Sequence, residues 1–128
     1  MNDKSRLAPS TIGALSELHV VNDLLIRGFY VFRAVSPSCV CDLVAVHRSG
    51  ECFRVEVKTG TTDASGKIRH SVAKHNNFDW MAIVSGNIKS GAKIYYVTRN
   101  GVGVFSGEDV SAVVLSCSGS RVFCSNLA

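Results

Sequence analysis

Two short apolar runs most constrain what this chain can fold into. Cys41-Asp42-Leu43-Val44-Ala45-Val46 and Phe53-Arg54-Val55-Glu56-Val57-Lys58 flank the turn His47-Arg48-Ser49-Gly50-Glu51. They read as the two strands of a hairpin, with charges where a buried strand would avoid them. Side chains alternate along a strand, so Glu56 and Lys58 share one face. Whether Asp42 joins them depends on register. The turn suits a three-residue loop, Arg48 to Gly50, with Gly50 in the left-handed position. His47 then lies opposite Glu51 and Asp42 opposite Glu56, with both carboxylates on one face. A two-residue loop would pair Asp42 with Val57 and send it to the other face.

Two adjacent carboxylates repel and resist desolvation. A divalent cation removes that cost. Magnesium, or manganese in its place, takes oxygen ligands, commonly one or two carboxylates with phosphate and water. Lys58 beside them can steady an attacking water or a phosphate oxygen. The set points to metal-assisted phosphodiester hydrolysis.

Asp42, thirteen further residues and then Glu56-Val57-Lys58 resembles the signature of the PD-(D/E)XK nuclease superfamily. Cys41 occupies the position of the family's proline, and Pro37 lies upstream. The resemblance implies an αβββαβ restriction-endonuclease-like core and magnesium-dependent cutting of DNA. Asp42, Glu56 and the Val57 carbonyl would bind metal, and Lys58 would orient the attacking water. Gly13-x-x-x-Glu17 is similar to the first helix of Holliday-junction resolvases and intron-associated endonucleases in that superfamily, whose glutamate reaches the metal site. Glu17 would then be an outer or additional ligand. By composition alone it is a solvated residue at the edge of a helix. Asn77-Phe78-Asp79-Trp80 resembles the segment after the catalytic hairpin in the intron-associated enzymes. Small enzymes of this kind commonly form homodimers, so that two sites address two strands.

Around the hairpin, Thr11 to Arg27 reads as a helix capped by Ser10 or Thr11 and closed by Gly28. Ile12, Leu15, Leu18, Val21, Leu24 and Leu25 form its apolar stripe. Phe29–Val35 is a strand, ended by Ser36-Pro37-Ser38. Arg33 at its end is either a phosphate contact or a surface arginine. Thr59 to Ser71 is the polar centre of the chain, in which Gly60, Thr61, Thr62, Asp63, Ser65 and Gly66 read as a flexible loop. Lys67, Arg69, His70, Lys74 and His75 follow, either to hold a DNA backbone or as a solvated loop and short helix. Strands follow near 80–84, 94–98 and 102–105, with Asn100-Gly101 as a hairpin turn. Ser106-Gly107-Glu108-Asp109 starts at most a short helix, and 113–128 reads as a terminal strand pair or ordered tail.

The expected fold is therefore α/β, a mixed central sheet with a helix on one face. Residues 1–10 form a flexible N-terminus and 11–128 a single nuclease-like domain. The chain's 128 residues suit one core, and its 46% hydrophobic content excludes wholesale disorder. Its apolar runs are too short to span a membrane. Five cysteines and a polar start lead to reduced thiols in a cytoplasm. Cys39-x-Cys41 with Cys52 lacks zinc-site spacing. The net charge of +4 permits a DNA partner without requiring one. The leading expectation is a magnesium-dependent endodeoxyribonuclease acting at junctions or specific duplex sites. The alternatives are a non-catalytic DNA-binding module of the same fold and a domain whose charges form a surface ion pair.

Overall fold

A computed structural model describes residues 6–65, 67–70, 77–100, 102–105 and 114–116, with only the main chain of Thr62 and of 114–116. Helix α1 spans Pro9–Ile26. The strands are β1 Tyr30–Arg33, β2 Leu43–Val46, β3 Cys52–Thr62, β4 Ile68–His70, β5 Trp80–Asn87, β6 Gly91–Thr98 and β7 Val114–Ser116.

The helix starts two residues before the expected point. Ala8 takes the cap position without a side-chain bond, and Pro9 is the first helical residue. Proline fits there because that N–H has no helical partner to lose. At the other end Gly28 adopts φ 95°. Its N–H donates to Leu25 O, and Phe29 N–H donates to Leu24 O. This doubly bonded left-handed cap turns the chain into β1.

Strands β1, β2, β3, β5 and β6 lie side by side in that order. β3 and β5 are parallel, and the other neighbours in this row are antiparallel. β3 runs past this row to pair with β4, which pairs in parallel with β7. Gly60 to Thr62, expected as loop, thus continues β3. Its β-branched threonines suit a strand, and Gly60 fits because Ile68 and Ile83 crowd it: a Cβ there would stand 2.7 Å and 3.0 Å from their Cγ2 atoms. The polar turn that follows is built on Asp63. Its carboxylate accepts bonds from Ser65 N–H, Ser65 O–H, Lys67 N–H and Arg69 Nε.

The second helix of the expected core would fall in 71–76, outside the described residues. Residues 102–105 are not a strand. They fold back along β6 through Thr98 N–H to Val102 O at 2.8 Å and Val104 N–H to Tyr96 O at 2.9 Å. The expected Ser106–Asp109 helix and most of the 113–128 tail lie outside the described residues, β7 apart.

The core beneath α1 joins Val20 and Leu24 to Leu43, Ala45, Val55, Trp80, Ala82, Val84, Ile94 and Tyr96. Ser16, Val20 and Leu24 are the buried helical residues, one turn apart, whereas Leu18 and Leu25 of the expected stripe are exposed. Polar contacts set this rotation. Ser16 Oγ meets Thr59 Oγ1 at 3.1 Å, His19 Nε2 meets Ala92 O at 2.7 Å, and Tyr96 O–H donates to Asp23 Oδ2 at 2.7 Å. Phe78, Met81, Ile83, Val97, Ile68 and His70 are also buried. No described helix is long and apolar enough to cross a membrane.

Candidate active site at the edge of β3

The hairpin has the register of a three-residue loop. Gly50 takes φ 94°, and His47 N–H donates to Glu51 O at 2.8 Å. Pairing runs from Val46↔Cys52 to Leu43↔Val55. One residue further the ladder gives way. Asp42 N–H turns to Val55 O at 3.2 Å, and the Asp42 side chain replaces a strand carbonyl, with Oδ2 accepting Val57 N–H at 2.8 Å. The carboxylate thus lies at the level of the sheet, at the edge where β2 leaves β3. In an antiparallel ladder a residue's N–H and C=O point to the same side, so the Val57 carbonyl looks toward this edge too.

Glu56 and Lys58 lie on the face away from the helix, because Val55 and Val57 pack into the core beneath it. Lys58 Nζ stands 3.5 Å from Glu56 Oε1, and their side chains are 21% and 13% exposed. Their register neighbours on β5 are Met81 and Ile83, both buried.

Glu17 approaches from the helix side. Its Oε1 lies 3.6 Å from Arg33 Nη2. Burial pushes the Glu17 carboxyl above its ordinary pKa, and the nearby Asp42 charge adds to the effect, while Arg33 opposes both. Asp42 thus acts on Glu17 from beside the helix, and its bond to Val57 N–H ties it to the run that carries Glu56 and Lys58.

Among the described residues, no three acidic, histidine or cysteine side chains converge closely enough to form a metal cluster. The donors at the edge are two carboxylates and a main-chain carbonyl. That oxygen set suits magnesium, which needs one or two protein carboxylates and fills its shell with water and phosphate.

The described part of the basic segment lies on and just before β4. Arg69 Nε is drawn to Asp63 Oδ2 at 3.3 Å. Lys67 is exposed, and Lys74 lies outside the described residues. Arg54 and Asp79, to which the sequence assigns no role, form a further pair. Arg54 Nε and Nη2 each lie 3.2 Å from an Asp79 carboxylate oxygen, and Arg54 precedes Glu56 by two on the same face. The alternation Arg54-x-Glu56-x-Lys58 was the available signal.

These elements define an α/β fold of the nuclease-like kind. The structure is similar to that of a bacterial homing endonuclease, I-Ssp6803I, with a TM-score of 0.58 and 16% identity over 73% of this chain and 71% of that one. At that identity the likeness is one of fold. No family model matches the chain, and no curated protein sequence does.

Proposed function

We propose that this chain is a magnesium-dependent endodeoxyribonuclease of the PD-(D/E)XK kind, hydrolysing DNA phosphodiesters. One observation carries the reading: the Asp42 carboxylate bonds Val57 N–H at 2.8 Å, inside the Glu56-Val57-Lys58 run. The likeness in fold to a homing endonuclease supports DNA as the partner.

Asp42, Glu56 and the Val57 carbonyl would hold the cation, with Glu17 as an outer ligand and manganese as a substitute. When bound, the ion neutralises phosphate charge and lowers the pKa of its water. Val57 N–H fixes the Asp42 carboxylate before any ion arrives, so little reorganisation is needed. Lys58 orients the attacking water and offsets charge gathered in the transition state. Arg33 opposes the burial and the Asp42 charge, which together raise the Glu17 carboxyl above its ordinary pKa. Lys67, Arg69 and Lys74 would hold DNA phosphates along the β3–β5 connection. A two-fold dimer would present one site to each strand of a duplex or junction.

The second reading is a DNA-binding module that does not cut. It is favoured by the absence of a three-ligand cluster among the described residues. A cleavage assay with magnesium on linear, nicked and four-way-junction DNA separates the two. Lys58→Met keeps the stem and removes the charge. It should bind DNA as the parent does and cleave about a hundredfold more slowly, the scale of one lost preorganised donor. A parent that cleaves none of these substrates returns the chain to the binding-module reading.

A further inference from the structure

Glu17 lies where helix α1 meets the candidate site, and the sheet fixes its place from two sides. Ser16, the residue before it, bonds Thr59, the residue after Lys58, at 3.1 Å. Arg33 ends β1 opposite Leu43, and the next residue, Ala34, donates its N–H to Asp42 O at 3.0 Å. Val31 packs into the core beneath the helix, so Arg33, two residues on, points to the same side. There Arg33 Nη2 stands 3.6 Å from Glu17 Oε1.

This pair is held more loosely than other arginine–carboxylate pairs of the fold. Its contact is longer than a hydrogen bond. Arg27 closes on Asp23 to 2.8 Å and Arg69 on Asp63 to 3.3 Å, and Arg54 grips Asp79 through two nitrogens at 3.2 Å each. The Arg33 side chain is 50% exposed, and a solvated pair with a single long contact is weak. Each member still needs a counterion. The Glu17 side chain is 29% exposed, and a carboxylate that has lost most of its water is costly without a cation. A divalent cation at Asp42 and the Val57 carbonyl would compete for Glu17 with two charges against one. The guanidinium released has a planar fork of N–H groups that matches a phosphate. In reverse, a phosphate that draws Arg33 away leaves Glu17 to the cation. By linkage, each event favours the other to the same extent.

We propose that the Glu17–Arg33 pair is an exchangeable latch that couples cation binding at Asp42 to DNA phosphate binding at Arg33, each ligand taking one partner and freeing the other. The two ligands rest on the nuclease reading. What the latch adds is regulation of that site: Arg33 meets phosphate only once Glu17 has let it go.

Fluorescence anisotropy with a DNA duplex in EDTA, and calorimetry with magnesium alone, read the two halves separately and without cleavage. In EDTA, Arg33→Gln should leave DNA affinity unchanged, because Glu17 already engages the guanidinium. In a Glu17→Gln background the same change should weaken DNA binding about 10-fold or more and lower its salt slope by about 0.9. Without DNA, Arg33→Gln should tighten magnesium about 5-fold. It should not do so in the Glu17→Gln background, where no exchange is left. Simple loss of a charge near the site would act equally with and without Glu17, so the two-background comparison isolates the pair. Equal effects of Arg33→Gln in both backgrounds, in either titration, overturn the proposal. A parent that takes up no magnesium sinks the nuclease reading and the latch together. Magnesium uptake with equal effects sinks the latch alone.

Discussion

The Asp42 carboxylate does two separable things, and two substitutions separate them. It accepts the Val57 N–H at 2.8 Å, and it brings negative charge to the edge of β3. Asp42→Asn keeps an oxygen for that bond and removes the charge. Asp42→Ala removes both. A hydrogen bond to a charged acceptor contributes roughly 1.5–3 kcal/mol. The Asp42 side chain is only partly buried, so water replaces some of what is lost, and Asp42→Ala should cost about 1–2 kcal/mol. Asp42→Asn should match or slightly exceed the parent, because it relieves the repulsion with the half-buried Glu17 carboxylate. At about 4 °C per kcal/mol for a chain of this size, the two variants should melt about 4–8 °C apart. Magnesium adds the second measurement. A ligand at about a hundred times its Kd stabilises by about 2.7 kcal/mol, so parent Tm should rise by about 10 °C, and neither variant should show the rise. Thermal scans at fixed pH, with and without magnesium, read both effects. If the two variants melt together, the Val57 bond does not anchor this edge. If the magnesium rise survives in both, the cation binds elsewhere and the proposed site fails.

Two further predictions test the frame around the site. Gly60→Ala puts a Cβ 2.7 Å from Ile68 Cγ2 and 3.1 Å from Arg69 O, so it should destabilise by about 1–3 kcal/mol in a urea titration; parent-like stability would mean β4 is not pressed onto β3 there. The Asp63 carboxyl is lowered from 3.8 to about 2, first by the Ser65 hydroxyl and then by the N–H groups of Lys67 and Ser65 and by Arg69, against a burial effect. A depressed carboxyl contributes stability in full above its unfolded pKa and loses it as pH falls through the folded one. Asp63→Asn should therefore flatten the stability loss between pH 3.8 and about 2, and an unchanged acid limb in thermal scans across that range would refute this role.

The hairpin was legible because two local facts fix it. A glycine able to take φ 94° sets the loop at three residues, and side-chain alternation does the rest. Helix α1 was legible as an element but not in rotation. Its leucines outnumber its buried positions, and the choice fell to Ser16, His19 and Asp23, whose partners Thr59, Ala92 and Tyr96 lie 43 to 73 residues away. Gly60–Thr62 differs from the expected loop for a related reason. Glycine and threonine next to a polar turn look like a loop until Ile68 and Ile83 close around Gly60.

The site divides along the same line. Glu56 and Lys58 share a face by alternation alone, which any sequence reading can use. The relation of Asp42 to them depends on where β2 stops, and no local residue dictates that. Continued for two more pairs, the ladder would have given Val57 N–H the Cys41 carbonyl as acceptor and left the Asp42 carboxylate to find its own partner. Because pairing ends at Leu43↔Val55, the carboxylate becomes the acceptor. The charges in the run and the early departure of β2 are thus one structural fact: polar side chains are tolerated within these strands because the sheet opens beside them. The same opening brings Glu17 within reach of Asp42 from the helix side and turns the Val57 carbonyl outward, so that whatever binds there meets oxygen from three elements.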